Sequence, residues 1–156
     1  MKLAIVAVGR LKSGPELTLI KDYQNRFVKT GRQLGFTALD IIEVDDRKAS
    51  DKESEAELIL KSVPNGAVIW ACDERGDQPK SEAFAKDLKK LAEDGAGTLA
   101  IVIGGADGLG APLLNTAQRK IAFGSMVWPH MLVRVMLTEQ LYRAASILAG
   151  LPYHRA

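Results

Sequence analysis

Apolar runs recur along the chain, and each is followed by a stretch whose apolar positions fall at helical spacing. KLAIVAV at residues 2–8 is almost continuously apolar and stops at Gly9. PELTLIKDYQNRFVKT at residues 15–30 has helical periodicity, with Pro15 suited to a first helical turn. ALDIIEV at 38–44 predicts a second strand. The charged stretch after it predicts a helix capped near Ser50 and Asp51 and ending near Val63. Pro64-Asn65-Gly66 marks a turn. AVIWAC at 67–72 and TLAIVI at 98–103 predict two further strands. Between them, SEAFAKDLKKLAED at 81–94 predicts an amphipathic helix capped by Ser81. A short helical piece precedes KIAFGS, a brief fifth strand, and a long helix is expected over about 129–149. Strands alternating with helices predict an α/β fold: a mostly parallel sheet with helices on both faces. Continuous rather than alternating apolarity fits strands buried on both sides.

Composition narrows the class. At 156 residues, with no linker or composition shift, one domain spanning 1–156 is expected. A net charge of +2 with basic residues spread along the chain is no footprint of tight, non-specific nucleic-acid binding, and it leaves a shaped RNA target open. The single cysteine, Cys72, rules out an internal disulfide and fits a reducing compartment. The apolar run before Gly9 is too short for a signal peptide, and no stretch approaches the roughly 20 residues of a membrane span. A cytoplasmic protein without membrane contact is expected.

In open parallel sheets, ligands sit beyond the carboxyl ends of the strands. Three such ends stand out: ACDERG after the third strand, IGGADGLG after the fourth and FGSMVWPH after the fifth. Gly104, Gly105, Gly108 and Gly110 have the spacing G-G-x-x-G-x-G. That is neither the dinucleotide fingerprint nor a phosphate loop, because no Gly-Lys-Ser/Thr follows. Spacing alone leaves two readings, a ligand-approach loop or a tight turn. FGSMVWPH offers free amides and carbonyls that can read a flat heteroaromatic ring, with Met126 and Trp128 in apolar contact. The alternative is core packing.

VIGGADGL, MVWPHMLVRVMLTEQLYRA and the ending PYHR, together with the opening MKLAIVAVGRLK and the LDIIEV strand, resemble the SPOUT superfamily of methyltransferases. More narrowly, the whole chain is similar to the single-domain ribosomal RNA large subunit methyltransferase H family. The resemblance implies a SPOUT-type fold with a C-terminal trefoil knot, a homodimer, and S-adenosyl-L-methionine as cofactor. It implies methylation of N3 of a pseudouridine in 23S rRNA of the assembled 70S ribosome, with no metal. A related SPOUT tRNA methyltransferase and a non-catalytic α/β ligand-binding protein are the alternatives. The implied cofactor contacts are Cys72, Gly104 and the run Phe123, Gly124, Ser125, Met126, Val127 and Trp128. Cys72 departs from the leucine frequent in the family, so a buried apolar contact is expected there rather than a side-chain-specific role.

The C-terminal helix is apolar on most sides, which predicts burial in a core or against a partner subunit. Arg134 is the anomaly within it, because a buried charge needs a partner or a ligand; a catalytic role is one candidate. Glu139 and Arg143, four apart, are expected to pair. His130 is expected to cap the helix or pack in the core. Gly150 and Pro152 end the helix and project Tyr153, His154 and Arg155. An aromatic ring, an imidazole and a guanidinium suit an RNA base and its phosphates. These three are the catalytic candidates, and the resemblance has them serving the partner subunit's site.

Overall fold

All five apolar runs pair as parallel strands in the computed structural model, which describes residues 1–155. The strands are β1 (Lys2–Val8), β2 (Ala38–Val44), β3 (Val68–Asp77), β4 (Thr98–Ile103) and β5 (Arg119–Ile121), in the spatial order β2-β1-β4-β3-β5. The helices are α1 (Pro15–Gly31), α2 (Lys52–Ser62), α3 (Ser81–Glu93), α4 (Ala111–Thr116) and α5 (His130–Leu148). The α/β fold with helices on both faces is therefore as the sequence predicts.

Alternate residues of β1 and β4 explain the continuous apolarity. Leu3, Ile5, Leu99 and Ile101 face one core with α1, α3 and α5, while Val6, Val8, Ala100 and Val102 face a second core with α2 and α4. Because both faces are covered, neither strand carries a solvent-facing row. Phe27 of α1 is wholly buried and stacks on Phe36 at 5.7 Å, and Trp70 of β3 meets Phe84 of α3 edge-on at 6.0 Å. Burying one such ring contributes roughly 1.5–3 kcal/mol.

The start of α2 is built as expected. Asp51 accepts from the Ser54 amide at 2.7 Å, and the Ser54 hydroxyl accepts from the Asp51 amide at 3.2 Å, a reciprocal cap. Ser81, by contrast, does not cap α3. It is the first helical residue, and its hydroxyl donates to Gln140 Oε1 of α5 at 2.8 Å, so a tertiary contact outcompetes the local one.

Strand β3 runs five residues past the predicted end, and β5 stops short of its prediction. The register explains both. Cys72 and Asp77 each pair with Ile121, across a bulge, and the Ala122 amide donates to the Asp77 carbonyl at 2.8 Å. Backbones approach so closely here that a Cβ at Gly76 would lie 2.6 Å from Ile121 N. Only glycine fits there.

Candidate active site

The carboxyl ends of β3, β4 and β5 open onto one cavity of about 520 Å³. Cys72 to Arg75 line it from β3, Ile103 to Leu109 from the end of β4 and the loop after it, and Ile121 to Gly124 with Met126, Val127 and Trp128 from the end of β5 and the segment after it. His130 and Val133 of α5 and Lys52 of α2 complete the wall. Of the eight residues predicted to contact a cofactor, this cavity brings together Cys72, Gly104, Phe123, Gly124, Met126, Val127 and Trp128. Ser125 is exposed and does not belong to the lining.

The glycine loop is a tight turn and a cavity wall at once, so its two sequence readings do not compete. The Gly108 amide donates to the Gly105 carbonyl at 3.1 Å, and Gly108 takes φ +76, a conformation open to glycine. Added Cβ atoms would lie 2.9 Å from the Gly108 carbonyl oxygen at Gly104, and 2.5 Å from the Lys52 carbonyl oxygen at Gly110.

Polar side chains at the mouth have clear physical states. Arg75 grips Asp73 through two hydrogen bonds of 2.9 and 3.0 Å. That contact holds the Asp73 carboxyl below its usual range and keeps it charged. Burial pushes the Cys72 thiol up to about 12, so it stays protonated and poorly nucleophilic. His130, expected as a cap or core residue, is neither. It makes no capping hydrogen bond, is half-buried, and stands on the cavity wall. Among the described residues, no group of three or more His, Cys, Asp or Glu side chains could hold a metal ion.

The C-terminal candidates sit elsewhere. Helix α5 ends with the Gly150 amide donating to Ile147 and the Leu151 amide to Ser146, with Gly150 at φ +67. This left-handed stop turns the chain back along its own helix. The Tyr153 ring packs 4.6 Å from that of Tyr142, Arg143 covers it at 4.8 Å, and its hydroxyl donates to Glu139 Oε1 at 2.9 Å. Burial, with the Tyr23 and Glu139 contacts, raises its phenol well above the usual range, so Tyr153 is a donor and not a base. Arg143 and Glu139 pair as expected. His154 lies between Arg143, 3.3 Å from Nδ1, and Glu82 of α3, 2.8 Å from Nε2. A guanidinium only donates, so Nδ1 accepts and Nε2–H donates to Glu82. Neither ring nitrogen is free in this arrangement. Arg155 is exposed. None of the three lines the cavity of its own chain.

Arg134 is likewise absent from the cavity lining. It is 1% exposed, and it donates to the Val8 and Gly9 carbonyls and to Glu43 Oε1, each at 3.1 Å. The buried charge has found protein partners at both terminal nitrogens, while its Nε is buried without one. In this chain it ties the end of β1 to α5, outside the cavity where the predicted cofactor contacts gather.

Sequence reasoning did not single out Lys52, Glu55, Asp73, Glu74 or Arg75. The last three lie within the flagged ACDERG strand end, and greater weight on that end would have found them. Lys52 and Glu55 lie on α2, far along the chain, and no local pattern ties them to the cavity.

This geometry agrees with the comparisons. A family model described as "Predicted SPOUT methyltransferase" matches residues 1–154, and the chain belongs to that family. Among curated relatives, "Ribosomal RNA large subunit methyltransferase H" of Dinoroseobacter shibae is 55% identical over 155 residues, covering 99% of both chains. The protein of the same name from Ruegeria pomeroyi is 54% identical over the same coverage. Among solved structures, a probable methylase family protein from Haemophilus influenzae Rd KW20 aligns with a TM-score of 0.54 at 16% identity. It covers 99% of this chain and 70% of that one, a likeness of fold.

Proposed function

We propose that this methyltransferase moves a methyl group from S-adenosyl-L-methionine to N3 of a pseudouridine in 23S rRNA, on the assembled 70S ribosome, as a single-domain cytoplasmic homodimer with the C-terminal knot of its family. The observation that carries the reading is the 55% identity, over 99% of both chains, to a relative named "Ribosomal RNA large subunit methyltransferase H", with seven predicted cofactor contacts around one cavity.

The cavity fits such a cofactor. Its volume of about 520 Å³ suits a molecule of this size. The glycine wall lets backbone groups come close to a ligand, and Met126 and Trp128 offer apolar contact to its ring. When bound, the cofactor supplies an activated methyl, so neither a metal nor a covalent protein intermediate is needed. The protein's task is to place N3 in line with the methyl carbon and sulfur and to help N3 lose its proton.

In this reading the tail serves the acceptor. Tyr153, held as a donor, stacks on the base, His154 accepts the proton once it leaves Glu82 and Arg143, and Arg155 holds a phosphate. The tail's absence from its own cavity supports delivery to the partner subunit. So does the exposure of Met126, Val127, Trp128 and Leu132 around the start of α5, an apolar patch that a second subunit would cover.

Methyl-labelled S-adenosyl-L-methionine, incubated with the protein and unmethylated 70S ribosomes, 50S subunits or free 23S rRNA, tests the reading. Label mapping to N3 of a 23S pseudouridine, chiefly from 70S ribosomes, is expected. No label in any of the three, from protein that binds the cofactor, would overturn it.

A further inference from the structure

We infer that Glu55 of α2 is a positioning residue that sets which way the Gly104–Gly105 peptide faces, and so presents the Gly104 carbonyl to the cofactor. The inference rests on the cavity being the cofactor site. Glu55 is half-buried behind the glycine loop and does not line the cavity. Its Oε1 accepts from the Gly105 amide at 3.1 Å, across 50 residues of sequence.

A peptide between two glycines has no Cβ on either side to resist a flip, so its orientation rests on its contacts: the Gly105–Gly108 bridge within the loop and Glu55 from α2. In a planar trans peptide, the N–H and the preceding C=O point in opposite directions, and no cis peptide occurs among the described residues. With the Gly105 N–H directed at Glu55 on α2, the Gly104 carbonyl is turned away from α2, and Gly104 lines the cavity. A flipped peptide would set the Gly104 carbonyl against a carboxylate, two acceptors facing each other. The carboxylate thus favours one orientation by attraction and opposes the other by repulsion.

The helix that carries Glu55 is itself fixed to the loop. The reciprocal Asp51–Ser54 cap holds its first turn, and Gly110, at the far end of the loop, has no room for a side chain against the Lys52 carbonyl. Gly105 is similarly closed in, since a Cβ there would lie 2.9 Å from Glu55 Oε2. The first turn of α2 therefore grips the glycine loop at both ends, once by side chain and once by backbone. The group presented to the ligand is a carbonyl acceptor, suited to a hydroxyl or amino donor of the cofactor.

Three proteins test this: wild type, Glu55→Ala and Glu55→Gln. The readouts are amide exchange at Gly105 without ligand, calorimetric affinity for S-adenosyl-L-methionine, and thermal unfolding. Glu55→Ala is expected to lose Gly105 protection and to bind the cofactor about 10-fold or more weakly. Glu55→Gln keeps an acceptor oxygen and is expected to stay within about threefold of wild type. A general loss of stability would not produce that rescue. Wild-type affinity and Gly105 protection in folded Glu55→Ala would overturn the inference, as would Glu55→Gln binding as weakly as Glu55→Ala. Failure of the wild type to bind the cofactor is distinguishable from both. It would bring down the cavity assignment and this inference with it.

Discussion

The cavity at the strand ends and the tail at the end of α5 hold most of the candidate residues, yet they are made of different material. One wall of the cavity is glycine backbone, with Gly104, Gly105 and Gly108 shaping it and the protonated Cys72 thiol also in the lining. The tail is a lattice of side chains: Tyr153 on Glu139, and His154 between Arg143 and Glu82. A wall of backbone holds its shape only as long as the chain path is fixed. A lattice of exchangeable polar contacts can be given up and remade, which suits the acceptor-binding role proposed for the tail. The two histidines follow the same division. His130 stands on the cavity wall, whereas His154 is committed to partners outside it.

The largest effect should come from the tail. Tyr153→Ala or His154→Ala is expected to lower turnover about 100-fold or more, in the range of lost acid–base or positioning groups, with cofactor affinity unchanged. Single-turnover methylation beside calorimetry reads both. A parallel loss of cofactor binding would erase the division between tail and cavity.

Next comes Arg134, a side chain on which the backbone half depends. Arg134→Ala strands the Val8 and Gly9 carbonyls and leaves Glu43 without its cation. It is expected to destabilise the fold by about 3 kcal/mol in denaturant unfolding. Turnover per folded molecule should fall far less than for His154→Ala, whereas a stable but inactive Arg134→Ala would give this residue a part in catalysis.

Gly76→Ala tests the backbone argument directly. Its Cβ would press on Ile121 and Lys120 backbone, and a loss of about 1–3 kcal/mol is expected, with weaker cofactor binding. An unchanged melting temperature would mean that the β3–β5 crossing yields more easily than its geometry implies.

The smallest effect is set by pH. The Asp73 carboxyl is held below its unfolded value by Arg75. Its contribution is therefore fully present above about pH 4 and is lost as pH falls through the folded value. Arg75 is largely exposed, so about 1 kcal/mol or less is at stake. Asp73→Asn should flatten that part of the acid-stability curve, and an identical curve in the variant would assign the acid sensitivity to other carboxylates.

Much of this was legible in the chain. KLAIVAV and TLAIVI declared strands covered on both faces, Asp51 the start of α2, and Gly150 with Pro152 the end of α5. The glycine spacing and FGSMVWPH marked two walls of the cavity before any fold was known. The Ser81 cap was misread because a serine before a helix reads the same whether its hydroxyl turns to its own backbone or to Gln140. Arg134 was ambiguous for a similar reason: a charge in an apolar helix announces a need for partners without saying which.

What the sequence determined by itself is therefore local: which segments extend or coil, where they stop, and which strand ends are rich in glycine. Those properties depend on residues within a few positions of one another. Tertiary structure alone decided that Glu55 meets Gly105, that Arg134 reaches back to Val8 and Gly9, and that His154 docks on Glu82. Each pair is brought together by the strand order β2-β1-β4-β3-β5 and by the helices packed on that sheet. Contacts of this kind leave no periodic trace in the chain, because their partners become neighbours only once the sheet has closed around its two cores.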